Sequence, residues 1–261
     1  MCFPGGPGRS AVYFDDLGGL DTVAELVLID TRGSGLSRPA DPSSLTVHRV
    51  ARDVAELCDH LGEPAPVLLG HSFGCRILAE YAAMFPGRAR ALIMLTPPTI
   101  GVIEAVVRGR DEILALREQD PALAAAVEAA RALPAARPRD RPMLEGVTVP
   151  LWYANWDEEA HAHAGRAAVE TPARTALTLR QSAVAVPPPD LATLDVPMLL
   201  VAGQLDYLSP PIAVHALHAT LIDSTYAEID GAGHYPWLDA PLVLRDVIGE
   251  FLDGLSHGGV V

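Results

Sequence analysis

The apolar residues of this chain fall into two rhythms. Unbroken runs at Val27, Leu28 and Ile29, at Val67, Leu68 and Leu69, and over 91–95 and 198–202 have the length of strands buried on both faces. A run over 225–229 predicts one more strand. Between these runs the spacing shifts to three and four. Val47, Val50, Val54, Leu57 and Leu61 predict a helix over 46–61, with Gly62 placed to stop it. Ile77, Leu78, Tyr81 and Phe85 predict a second helix, ended by Pro86 and Gly87, and a third is expected near 211–221. Leu244, Val247, Ile248, Phe251, Leu252 and Leu255 line one face of a closing helix. Short strands alternating with helices mark an α/β fold with a mostly parallel sheet flanked by helices.

Residues 99–189 break this alternation. They are rich in alanine, arginine and proline, with helical patches and no strand pattern, and they lie between the stiff stretches Pro97-Pro98 and Pro187-Pro188-Pro189. The organisation expected is a core made of 1–97 and 190–261, interrupted by a helical cap at 98–189. No internal repeat is present.

Composition narrows the function classes. A net charge of −14 over 261 residues opposes binding to nucleic acid and to anionic membranes. No apolar run approaches the ~20 residues of a membrane span, and the N-terminus lacks a signal-peptide pattern. Cys2, Cys58 and Cys75 are odd in number and widely spaced, which suits a reducing compartment; cytoplasm is the location expected.

The chemistry centres on Gly70-His71-Ser72-Phe73-Gly74, which lies between an expected strand and an expected helix. That context turns a GxSxG pentapeptide into a nucleophile elbow, in which small flanking residues let a strained serine project above the sheet. Composition alone would give only ~0.07 such pentapeptides in a chain like this one. A serine needs a base and the base needs an orienting carboxylate. Asp206, just past the 198–202 strand, and His234, in the loop Asp230-Gly231-Ala232-Gly233-His234, are expected at the same rim of the sheet. Asp223 and Asp230 are alternative acids. Asp195 precedes its strand and falls at the opposite edge. His71 reads as packing, His60, His215 and His218 as helix-face residues, and His161 with His163 makes no metal set, so neither metal nor cofactor is expected.

Taken together, Pro4-Gly5-Gly6-Pro7-Gly8, Asp30-Thr31-Arg32-Gly33-Ser34-Gly35-Leu36-Ser37, the GHSFG pentapeptide, 203–206 and 231–234 resemble the α/β-hydrolase family, and within it the proline iminopeptidase-like branch with its HGGPG and DxRGxGxS segments. The resemblance implies an eight-stranded, mostly parallel sheet, a helical cap after the sixth strand, and an oxyanion hole from the backbone N–H groups of Gly6 and Phe73. It also implies two strands and the body of a third ahead of the glycine loop, which here begins three residues from Met1, so the expectation is either that these N-terminal strands are missing from the chain as given or that the loop is held some other way. Pro4 stands where that motif has histidine. The Asp30 to Ser37 segment reads as structural, with Arg32 paired to carboxylates or carbonyls.

The branch also carries an aromatic cap segment, Trp-x-x-Trp-Glu, whose acid receives a substrate amine. Here Trp152, Trp156, Asp157 and Glu158 occupy the comparable stretch, with the tryptophans one residue further apart. They are candidate substrate-binding residues, and the acids equally fit a solvated helix face. The function expected is a serine hydrolase releasing an N-terminal residue from a short peptide. The alternatives are an esterase, lactonase or thioesterase on a small apolar acyl substrate, and a hydrolase-fold binding protein without turnover.

Overall fold

The computed structural model describes residues 1–38 and 40–257. Five strands, β1 (Cys2–Phe3), β2 (Val67–His71), β3 (Ala91–Leu95), β4 (Met198–Gly203) and β5 (Ser224–Ile229), form an all-parallel sheet in that spatial order. Leu69 pairs with Ile93, Ile93 with Leu199 and Leu199 with Thr225, so the carboxyl ends of the strands align along one rim. Parallel neighbours need crossovers, and helices supply most of them: α1 (Val47–Leu61) precedes β2 and α2 (Phe73–Met84) follows it. Between β3 and β4 come α3 (Ile103–Arg117), α4 (Ala124–Ala132), α5 (Arg141–Val147), α6 (Glu158–Glu170) and α7 (Ala173–Ala185). Then α8 (Pro211–His218) joins β4 to β5, and α9 (Pro236–Asp239) and α10 (Pro241–His257) end the described chain.

Alternation along each strand divides the core into two layers. Leu68, Leu92, Met94 and Leu200 pack with Val50, Val54, Leu78 and Val214 of α1, α2 and α8. Leu69, Ile93, Leu95 and Val201 point the other way, onto Phe14, Leu17, Trp237 and Leu244. Burial on both faces is why the middle strands read as continuous apolar runs. A third cluster joins Ile113, Leu123, Val127 and Leu151 of the β3–β4 insertion to Tyr207, just past β4.

The strand expected at residues 27–29 is reduced to a single bridge between Leu28 and Cys2. Its neighbour β1 is two residues long, which leaves room for only two rungs, Cys2 N–H to the Val27 carbonyl (2.8 Å) and Ile29 N–H to the Cys2 carbonyl (3.1 Å). Five strands, not the eight implied by the resemblance, are formed among the described residues. The third expected helix also ends three residues early, at His218.

The Asp30 side chain ties its own loop to the segment that follows the glycine loop. Its carboxylate accepts the Ser10 hydroxyl (2.8 Å) and the N–H groups of Ala11 (2.8 Å) and Leu36 (2.6 Å). Burial alone would raise the carboxyl's pKa, but these bonds reverse that and hold it below the usual carboxylate value. Gly35 is required here because a Cβ would fall 1.8 Å from Asp30 Oδ2. Arg32 pairs through two nitrogens with Asp53 on α1.

Candidate active site

β2 runs into the pentapeptide and α2 leaves it. Between them Ser72 adopts φ 49° and ψ −118°, a positive φ that non-glycine residues rarely accept. The bend survives because its neighbours approach closely. A Cβ on Gly74 would lie 2.2 Å from the Phe3 carbonyl oxygen, and one on Gly70 would lie 2.7 Å from Cys75 N. Ser72 N–H donates to the Leu95 carbonyl (2.9 Å), fastening the elbow to the end of β3.

Asp206 and His234 meet as the sequence arranges them. His234 Nδ1 is 2.8 Å from Asp206 Oδ2, and both side chains are buried. Asp206 Oδ1 accepts the N–H groups of Leu208 (2.8 Å) and Ser209 (3.1 Å). The acids weighed as alternatives, Asp223 and Asp230, are exposed, as is Asp195, expected at the opposite edge. The Ser72 hydroxyl makes no hydrogen bond among the described residues. His234 is nonetheless bound to the elbow and to the end of β3: its carbonyl accepts from His71 Nε2 (2.9 Å) and from Thr96 Oγ1 (3.1 Å), and its ring centroid lies 4.7 Å from that of His71.

The glycine loop rests on the elbow, with a Cβ on Gly5 falling 3.0 Å from Ser72 Cβ. Gly5 N–H donates to the Tyr13 hydroxyl (2.9 Å). The N–H groups of Gly6 and Phe73, the expected oxyanion donors, have no hydrogen-bond partner among the described residues. Phe73 opens α2, where free N–H groups and the helix dipole favour negative charge. His71, read from sequence as packing, also bonds Tyr13, and burial followed by the neighbouring His234 holds its pKa well below the ordinary histidine value.

The insertion reaches the site through residues 152–154. The Trp152 carbonyl accepts His234 N–H (2.7 Å), and Asp239 Oδ2 collects the N–H groups of Gly233 (2.8 Å) and Ala154 (3.4 Å). Burial raises the Asp239 pKa to about 6 against those two bonds. Arg117 Nη1 donates to the Tyr153 carbonyl (3.0 Å). The Trp156 ring lies tilted against those of Tyr153 and His161 (centroids 5.5 and 4.0 Å). Asp157 is exposed and caps α6 by accepting Ala160 N–H (3.0 Å), and Glu158 is exposed in the first turn. His163 is buried with Nδ1 2.7 Å from the Tyr153 hydroxyl, and burial lowers its pKa to about 3.

Sequence reading missed Tyr13, Arg9 and Asp239. Arg9 pairs with Glu170 on α6 (2.7 Å) and lies 4.2 Å over the Tyr13 ring, tying the glycine loop to the insertion. All three sit in a loop or in a helix of a single turn, too short for periodicity to mark an inward-facing position. Cys75, in the first turn of α2, lines a cavity of about 450 Å³ with Arg76, Met94, Pro97 and Pro188, beneath the two segments that enter and leave the insertion. No described helix is long and apolar enough to cross a membrane.

A family profile described as alpha/beta hydrolase fold matches residues 1–241. A homoserine O-acetyltransferase from Thermus thermophilus is 33% identical over 100 residues, which is 36% of this chain and 26% of that protein. The match thus spans about a quarter of that curated relative. Among solved structures, a proline iminopeptidase-related protein, also from Thermus thermophilus, superposes with TM-score 0.70 at 25% identity, over 97% of this chain and 88% of that one. An esterase from Thermogutta terrifontis superposes with TM-score 0.67 at 22% identity, over 97% and 89%. With the profile covering nearly the whole chain and the strand, elbow and loop order in place, this protein belongs to the alpha/beta hydrolase fold family.

Proposed function

We propose that the protein is a serine hydrolase of small carboxylic esters or amides, acting through Ser72, His234 and Asp206. The observation that carries this reading is the positive-φ serine between β2 and α2, with a buried His234–Asp206 pair whose His234 carbonyl is bonded by His71, the residue before that serine. In the reaction His234 Nε2 takes the Ser72 proton as Oγ attacks the substrate carbonyl carbon. The resulting oxyanion rests on the N–H groups of Gly6 and Phe73, where one such donor is worth about 3 kcal/mol. His234 then protonates the leaving group, and water repeats the sequence to release the acid. The open Ser72–His234 hydrogen bond fits this reading, because catalytic hydrogen bonds often close only around substrate. The mechanism uses no cofactor. Helices α3 to α7 act as the cap that sets access.

The ester reading is favoured over release of an N-terminal residue because neither acid suited to an ammonium group is held in the buried site. Asp157 caps α6 and Glu158 faces solvent. Similarity to the proline iminopeptidase-related protein keeps the peptidase reading as the second choice. Purified protein should be labelled by a fluorophosphonate probe, and Ser72→Ala should abolish the label. Parallel assays with a short acyl p-nitrophenyl ester and a proline arylamide divide the two readings. Turnover of the arylamide alone would reverse the preference, and no labelling of folded protein would favour a binding protein without turnover.

A further inference from the structure

One unbroken chain of hydrogen bonds joins the glycine loop to the catalytic histidine. Gly5 N is 2.9 Å from the Tyr13 hydroxyl, that hydroxyl is 2.6 Å from His71 Nδ1, and His71 Nε2 is 2.9 Å from the His234 carbonyl oxygen. Tyr13 and His71 are fully enclosed, at 1% and 2% exposure.

The direction of each proton follows from the partners. A carbonyl oxygen only accepts, so His71 Nε2 carries hydrogen. Burial disfavours the imidazolium, so the ring holds one proton and Nδ1 accepts. Tyr13, whose hydroxyl burial keeps protonated, must then donate to Nδ1, and its oxygen is left to accept from Gly5. No donor or acceptor in the chain is wasted.

We propose that Tyr13 and His71 are positioning residues that hold the oxyanion loop and the base His234 in one register; this rests on the serine-hydrolase reading. Three features support it. Tyr13 occupies the Gly5 N–H, and the Gly5 carbonyl accepts Arg9 N–H (3.3 Å), so Gly6 is the next amide with a free N–H to offer a substrate. The His234 carbonyl is held by two donors, His71, which precedes Ser72, and Thr96, which follows the Leu95 whose carbonyl accepts Ser72 N–H. Pro4, lacking both an N–H and a polar side chain, contributes no donor to the loop, and Tyr13 bonds the loop at Gly5, eight positions away, in space that Phe14 and Trp237 also fill (ring centroids 4.5 and 5.6 Å from Tyr13).

That packing is what a purely structural tyrosine would also show, so the test must isolate the hydroxyl. Tyr13→Phe removes the hydroxyl and keeps the ring. His71→Gln keeps an N–H able to reach the His234 carbonyl and breaks the link to Tyr13. Both variants, their combination and Leu20→Ala, a core truncation beside the same turn, are assayed with a short acyl p-nitrophenyl ester. Rates are divided by the number of fluorophosphonate-labelled sites, and Tm is measured in parallel.

Losing an oxyanion donor outright lowers kcat about 10²- to 10³-fold, so displacing one should lower kcat per labelled site about 10- to 100-fold in Tyr13→Phe. KM should move less than about threefold, because the donors act on the transition state. The double variant should be no worse than the poorer single variant, since either change opens the same chain. Leu20→Ala should lose Tm and keep kcat per labelled site. The proposal is overturned if Tyr13→Phe keeps wild-type kcat per labelled site, if the two losses multiply, or if Leu20→Ala slows turnover equally. Wild-type protein that is folded but unlabelled would overturn the hydrolase reading and this proposal together, whereas a labelled wild type with an unaffected Tyr13→Phe would overturn this proposal alone.

Discussion

Asp206→Asn is the substitution whose consequence the structure specifies most completely. Asp206 Oδ1 accepts two backbone N–H groups, from Leu208 and Ser209, and Oδ2 faces His234 Nδ1 at 2.8 Å. An asparagine keeps one oxygen and gains one NH2 group. Turning the NH2 toward Leu208 and Ser209 would set donors against donors in a site with 0% exposure, leaving both amides unsatisfied at roughly 1–3 kcal/mol each. The asparagine oxygen therefore stays on the two amides, and its NH2 meets Nδ1. Nδ1 must then accept, which moves the imidazole proton to Nε2, the atom that should receive the Ser72 proton. The base is lost while the fold keeps its hydrogen bonds. In hydrolases with this kind of triad that change costs about 10⁴-fold in kcat, or about 5.5 kcal/mol of barrier. Exchanging charge-assisted bonds for neutral ones should lower stability by only about 1–2 kcal/mol, a fall in Tm of a few degrees at this size. Ester hydrolysis gives kcat and KM, fluorophosphonate labelling gives the reactivity of Ser72, and scanning fluorimetry gives Tm. A folded Asp206→Asn protein within tenfold of wild-type kcat/KM would refute the assignment of Asp206 as the carboxylate that orients His234.

Gly74→Ala should disrupt the elbow and the glycine loop together, since its Cβ would meet backbone at 2.2 Å (Phe3 O), 2.9 Å (Phe3 C) and 3.0 Å (Pro4 O). A stability loss of about 1–3 kcal/mol with much slower probe labelling is expected, and unchanged Tm and labelling would rule this out. Stability should also respond to acid in a way the buried groups define. His71 and His163 titrate below the ordinary histidine value when folded, so the unfolded chain binds more protons below pH 6.5 and each lowers stability by up to about 1.4 kcal/mol per pH unit. Asp239 opposes them. Its folded pKa of about 6 lies above the reference 3.8, so its contribution is fully present below pH 3.8 and is lost as pH rises through 6. Urea denaturation of Asp239→Asn should therefore show stability falling more steeply than wild type between pH 6 and pH 4, and parallel slopes would contradict the account.

The class of fold and the three central candidates were legible in the sequence for local reasons. β3 is bounded at Ala91 and Leu95 where its apolar run starts and stops, because a strand buried on both faces admits no polar residue within it. Ser72, Asp206 and His234 each follow a strand, and parallel strands in register bring their carboxyl ends to one rim. The same logic overreaches at 27–29: an apolar run shows a wish for burial, but a ladder also needs a partner, and β1 offers two residues.

What only the tertiary structure decided are the contacts between segments distant in the chain. Tyr13 reaches His71 across 58 positions, Arg9 reaches Glu170 across 161, and Asp239 joins the loop of His234 to an amide 85 positions away. Asp157, by sequence alone a candidate for binding an amine, became the cap of α6 once that helix was seen to begin at Glu158. Periodicity and motif spacing report how a residue sits relative to its own strand or helix. Which hydroxyl, imidazole or carboxylate satisfies a buried donor is settled only when separate elements pack, because the need for a partner is local and the partner is not.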